Sequence, residues 1–122
     1  MPRQTDARAR GQAVEQAAAR WLSAQGLTLV ASNQHAKGGE IDLVMRDGDT
    51  LVFVEVRHRR RSDYGHPLET ITAAKQRRLV RAARFYLQAQ RLSCPCRFDV
   101  VGVTGSQPDL EFDWIRAAFD AY

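Results

Sequence analysis

Only two of the 122 residues are cysteine, Cys94 and Cys96, and Pro95 alone separates them. That spacing is too tight for an easy disulfide, and two thiols supply too few ligands for a zinc site, so both read as incidental reduced thiols in a loop. No apolar run approaches the ~20 residues that a membrane span requires, and Met1-Pro2-Arg3-Gln4-Thr5-Asp6 lacks the apolar core of a signal peptide. A cytoplasmic protein with no membrane association is the expectation. Also missing are an internal repeat, a Gly-rich phosphate loop of Walker type and a Ser/His/Asp arrangement for acyl transfer.

What is present suits one globular domain spanning 1–122. Hydrophobic residues make up 44% and charged residues 26% of the chain, and the length is sufficient for a real core but not for two. Residues 1–8 are polar and without periodicity, which predicts a frayed terminus.

The distinctive stretch runs from Gly39 to Arg57, Gly-Glu-Ile-Asp-Leu-Val-Met-Arg-Asp-Gly-Asp-Thr-Leu-Val-Phe-Val-Glu-Val-Arg. It reads as two strands joined by a tight turn, with acids where apolar residues would be expected. Asp47-Gly48 is a strong two-residue hairpin signal, since Asp tolerates positive φ and Gly adopts it freely. With that turn Asp42 pairs with Phe53, Glu40 with Glu55, and Asp42 is the diagonal neighbour of Glu55 at roughly 7–8 Å. A turn at Gly48-Asp49 instead sets Asp42 directly opposite Glu55. Either register puts Glu40, Asp42, Phe53, Glu55 and Arg57 on one face, and Ile41, Leu43, Met45, Val52, Val54 and Val56 on an apolar opposite face. Carboxylates that close repel, so a sequence that keeps them implies a neutralising cation, and hard oxygen ligands suit Mg²⁺ or Mn²⁺.

The formal net charge is +4, which favours a polyanionic partner. Its distribution says more. Arg57, His58, Arg59, Arg60 and Arg61 follow the acidic strand, and Lys75, Arg77, Arg78, Arg81 and Arg84 decorate a later helix. A basic rim beside an acidic centre is what nucleic-acid backbone chemistry requires, so Arg59, Arg60, Arg61, Arg77 and Arg78 are candidate nucleic-acid contacts.

Around the hairpin the pattern predicts a helix from about Ala9 to Ala24, with Ala13, Val14, Ala17, Ala18, Trp21 and Leu22 at helical spacing and Gly26 as its stop. A short strand over Leu27 to Ser32 and a polar loop over Asn33 to Gly39 follow. Residues 58–69 read as a basic loop or lid over the site. The longest helix starts at Thr70 or Thr72, each a natural N-cap, and ends near Gln90, burying Ile71, Ala74, Leu79, Ala82, Ala83 and Tyr86. Arg97 to Thr104 and Leu110 to Ile115 are strands, and Arg116 to Tyr122 is a short helical or frayed end. The order gives an α/β protein, a mixed β-sheet flanked by helices with an αβββαβ core, whose second helix crosses over to a parallel strand.

Gly11-x-x-x-Glu15, Gly26, Asn33, the Gly39-Glu40-Ile41-Asp42-Leu43-Val44 block, Phe53-Val54-Glu55-Val56-Arg57, Lys75 and Phe98-Asp99-Val100-Val101 together resemble the bacterial YraN-like family of uncharacterised proteins. Asp42, then Glu55-x-Arg57 on the next strand, is similar to the PD-(D/E)xK pattern of restriction-endonuclease-like nucleases. The arrangement also resembles archaeal Holliday-junction resolvases. The resemblance covers roughly Gly11 to Val103. It implies a restriction-endonuclease-like fold, Asp42 and Glu55 as metal ligands with Glu40 and Glu15 in support, and Arg57 in the place of the motif's Lys. Arg57 keeps the charge but cannot release a proton. Lys75 would stand in for it.

The leading expectation is therefore a Mg²⁺- or Mn²⁺-dependent nuclease with Asp42, Glu55, Arg57 and Lys75 in the catalytic group. Its partner would be nucleic acid, DNA rather than RNA, with branched DNA as a candidate substrate and a homodimer suited to two-ended substrates. The alternative is a nucleic-acid-binding module that keeps the nuclease fold without the chemistry, which Arg57 favours. A third reading, a scaffold whose acids are incidental, predicts neither metal nor nucleic acid.

Overall fold

The computed structural model describes residues 3–59 and 71–120, with side chains from residue 9 onward. Its elements are α1 (Arg3–Ala24), β1 (Thr28–Ala36), β2 (Gly39–Asp47), β3 (Thr50–Arg59), α2 (Ala73–Ala89), β4 (Cys96–Thr104) and β5 (Glu111–Phe119). The strands form one sheet in the order β1-β2-β3-β4-β5. Only β3 and β4 are parallel, because α2 carries the chain back across the sheet between them. The fold is the expected α/β arrangement, a mixed sheet flanked by helices. No helix is long and apolar enough to cross a membrane among the described residues.

Each helix covers one face. On the α1 side Val14, Ala18 and Leu22 pack with Leu43, Met45, Val52, Val54, Val101 and Val103. On the α2 side Val80, Ala83 and Tyr86 pack with Ile41, Val44, Leu51, Phe53 and Phe98. The rings of Phe53, Phe98 and Phe119 form a stacked row with centroids 5.5 and 5.0 Å apart. A strand buried on both faces reads as a continuous apolar run, and Leu51-Val52-Phe53-Val54 is that run.

Several expectations are corrected here. The hairpin pairs Asp47 with Thr50 and Arg46 with Leu51, so the turn is Gly48-Asp49, with Gly48 at φ 61°, and not Asp47-Gly48. The two faces are not one apolar and one acidic, since both are apolar near the turn. Ile41 joins the α2-side core while Leu43 faces α1, because the β2–β3 ladder ends at Leu43 and Val54 and the alternation is not held beyond it.

Residues 3–8, expected to fray, continue α1, as Arg, Gln and Ala propagate a helix that has already nucleated. The loop expected over Asn33 to Gly39 shrinks to Lys37-Gly38, since β1 runs to Ala36. Thr72, rather than Thr70, caps α2 by accepting from the Lys75 amide at 3.1 Å. Ala74 is exposed, and Val80 is buried instead. Arg59, placed in a loop by its charge, ends β3, while Arg60, Arg61 and the remainder of the expected 58–69 lid lie outside the described residues.

The expected helical or frayed end at Arg116 is strand β5, which runs on to Phe119. Its register shifts between the partners of Phe98 and Val100, with Ala117 at φ 49°. That irregularity hides the alternation from a reading of sequence. Asp99 supports it: fully buried, it accepts from the Ala117 amide at 3.0 Å, the Trp114 indole at 2.9 Å and the Arg97 guanidinium at 3.0 Å. Arg97 also donates to Asp47 at 2.8 Å, tying β4 and β5 to the end of β2.

Candidate active site

Asp42 and Glu55 directly follow the last pair of the β2–β3 ladder, Leu43 with Val54, at the end remote from the turn. Asp42 Oδ2 accepts from the Val56 amide at 2.9 Å. Glu55 is 5% exposed, and its Oε2 faces two cations, the Arg57 guanidinium at 3.4 Å and the Lys75 ammonium at 3.6 Å. Lys75 reaches it because Thr72 fixes the start of α2 over this end of β3.

Burial raises the pKa of Glu55 to about 7, with the Asp42 charge adding and Lys75 and Arg57 opposing. Asp42 is also raised, chiefly by burial, against the Val56 hydrogen bond. The two carboxyl groups are within hydrogen-bonding reach of each other. Such a pair requires a shared proton or a cation between its oxygens.

Glu15 brings a third carboxyl from α1. Its pKa is raised to about 7 by burial, then by the charges of Asp42 and Glu40, with a hydrogen bond from Asn33 opposing. Its Oε1 is buried with no hydrogen-bond partner, although Asp42 and Asn33 adjoin the carboxyl. Glu15, Gly11, Gln12, Asn33, His35 and Glu40 line an open hollow of about 500 Å³. Asn33, expected in a loop and named among the residues of the family resemblance, is at φ 52°.

The structure thus brings Asp42, Glu55, Arg57 and Lys75 together, with Glu15 beside Asp42. Glu40 lies 3.3 Å from the exposed His35, and its charge bears on both Glu15 and Asp42. The four carboxylates Glu15, Glu40, Asp42 and Glu55 do not converge as one ligand set: among the described residues no three His, Cys, Asp or Glu side chains are grouped to hold a metal. Arg77 and Arg78 lie on the exposed part of α2, and Arg59 contacts the His58 carbonyl at 3.4 Å.

Mg²⁺ is nonetheless compatible with these residues. It is commonly held by one or two carboxylates, several waters and substrate phosphate oxygens. Asp42 and Glu55 are such a pair, and the orphaned oxygen of Glu15 adds an acceptor that a bound water would satisfy.

The profile of the uncharacterised protein family UPF0102 matches residues 14–103, which include Glu15, Glu40, Asp42, Glu55, Arg57 and Lys75. A UPF0102 protein of Chromohalobacter salexigens is 68% identical over 96% of this chain and 95% of its own. One of Nitrosomonas europaea is 50% identical over 91% and 93%. The UPF0102 protein YraN of Salmonella newport is 46% identical over 97% and 89%.

Proposed function

This chain belongs to the uncharacterised protein family UPF0102, and from its site we propose that it is a divalent-metal-dependent phosphodiester hydrolase acting on nucleic acid. The observation that carries the reading is the adjoining carboxyl pair Asp42 and Glu55 with Lys75 at 3.6 Å from Glu55. It reproduces the charges of the nuclease pattern with an ammonium from α2 in place of the motif's lysine. Restriction-endonuclease-like ancestry belongs to this proposal.

Asp42 and Glu55 would hold the ion, which lowers the pKa of a bound water and offsets charge on the phosphate. Every other step falls to the chain. The Val56 amide fixes Asp42, so that carboxylate meets its ligand without reorganising. Lys75 and Arg57 restrain Glu55 and present positive charge toward an incoming phosphate. Glu15, titrating near 7, is assigned as acceptor of the proton released by the attacking water, since a base works best with a pKa near the operating pH.

Two observations favour a second reading, a binding module without hydrolysis. Arg57 occupies the motif's lysine position, and both cations already engage Glu55 Oε2, which reduces its need for a metal. Incubation of the protein with branched, duplex and single-stranded DNA and with RNA, each with Mg²⁺ or Mn²⁺, separates the two. The proposal expects strand cleavage that Asp42→Ala abolishes. Cleavage that survives Asp42→Ala, or binding with no cleavage of any substrate, overturns it.

A further inference from the structure

The carboxyl site leaves part of α2 unused. Arg77, Arg81 and Arg84 are exposed and line a groove of about 240 Å³ together with Val80 and Asp120. Among the described residues no carboxylate is recorded within ion-pair distance of these three arginines, and Asp120 is the single acid in the groove lining. Like charges one turn apart on a helix are destabilising. A face that keeps three guanidiniums against one carboxylate is therefore matched to an anion.

The neighbouring turn is built around the same residues. Gly38, at φ 104°, has no side chain where the stem of Arg81 crosses it, and a Cβ there would come within 2.8 Å of Arg81 Cδ. The contact restrains Arg81 along its aliphatic length. On the same turn Lys37 is positioned with its ammonium 5.9 Å from the ring centre of Phe85, a cation–π distance. The β1–β2 turn thus adds a fourth positive charge next to the helix and limits the freedom of two of the four.

Arg77 and Arg84 are seven residues apart, about 10 Å along the helix axis. That span is long enough to meet more than one phosphate of a strand. Guanidinium groups bind phosphate through paired N–H donors. We propose that the Arg77, Arg81 and Arg84 face of α2, extended by Lys37, is a track for the phosphate backbone of a nucleic-acid strand, separate from the Asp42 and Glu55 pair. The assignment rests on the nucleic-acid reading above. It gives α2 two roles, with Lys75 directed to the carboxyl site and the arginines from Arg77 onward holding the strand.

The test is the salt dependence of binding of a fluorescent 20-base-pair duplex by the full chain in EDTA. Wild type is compared with Arg77→Gln/Arg81→Gln/Arg84→Gln and with Arg10→Gln/Arg20→Gln/Arg91→Gln, which removes the same charge from other exposed positions. Gln keeps the Arg81 stem over Gly38, and thermal melting confirms the fold. The α2 triple is expected to bind at least tenfold more weakly at low salt and to lose roughly two to three units from the slope of log K against log salt, at about 0.9 per phosphate contact. The control triple is expected to lose less than one unit. Equal losses from the two triples, or no duplex binding by wild type, overturn the track. Its failure is distinct from failure of the hydrolase reading: cleavage by the α2 triple at the wild-type rate removes only the track, and salt-dependent binding through α2 with no cleavage removes only the hydrolase.

Discussion

The ammonium of Lys75 stands 3.6 Å from Oε2 of Glu55, joining the first turn of α2 to the third strand where the sheet is otherwise acidic. The two residues are 20 positions apart and are brought together by the Thr72 cap. This contact holds down a carboxyl that burial and Asp42 push up to about 7. Lys75→Met is expected to raise the Glu55 pKa further, observable as a downfield-titrating carboxyl carbon in NMR, and to lower any hydrolysis by about 100-fold, the lower part of the range for loss of one positioned catalytic group.

Stability should fall as pH rises through neutrality. Glu15 and Glu55 have folded-state values near 7 against an ordinary 4.5. A group with a raised pKa contributes stability that is complete below its unfolded value and is lost as pH passes its folded one. In EDTA the melting temperature is therefore expected to be several degrees higher at pH 5.5 than at pH 8, about 4 °C for each kcal/mol in a domain of this size. A flat profile across that window contradicts the assignment.

Asp42→Asn should separate stability from function. The amide oxygen can still accept from Val56, and the amide nitrogen can donate to Glu55, so the repulsion disappears while the hydrogen bonds remain. Chemical denaturation at pH 8 without metal is expected to show a gain of about 1 kcal/mol, alongside complete loss of cleavage. A variant less stable than wild type would indicate that Asp42 is structural.

If Glu15 is the proton acceptor, the rate of hydrolysis should rise with pH around an apparent pKa near 7 and level off above it. Glu15→Gln removes that inflection and lowers the plateau by about 100-fold, within the usual range for general-base catalysis. Retention of the inflection in the variant assigns it elsewhere.

Asp99→Ala tests the fold independently of the site. It leaves Arg97, Trp114 and the Ala117 amide without their shared acceptor. Breaking a buried charged pair costs about 3–5 kcal/mol, and urea unfolding should show a loss of that size with β5 the first strand to exchange its amides.

Much of the fold was legible because local signals agreed. The helical spacing before Gly26 and the alternation after Arg97 each had one reading, and the cap of the second helix had two, Thr70 and Thr72, two residues apart. The hairpin register was not fixed, because Asp47-Gly48 and Gly48-Asp49 are both adequate turns and packing against two helices decides between them. Strand β5 was cut short at Ile115, because the Ala117 irregularity interrupts its alternation and the partner that stabilises it, Asp99, is distant in sequence. At the site, Asp42 and Glu55 were legible as anomalies of charge, and Lys75 as a stand-in for the motif's lysine. The turn of Ile41 to the α2 side was not, since it depends on β2 leaving the β3 ladder at Leu43.

The central claim is that Asp42 and Glu55 together hold one divalent ion. Titration of the protein with Mn²⁺ at pH 7.5, followed by electron paramagnetic resonance, counts bound ions directly. One ion per chain for wild type, and none for Asp42→Asn/Glu55→Gln at the same concentrations, is the predicted result. Equal binding by the two proteins, or no binding by wild type, would contradict it.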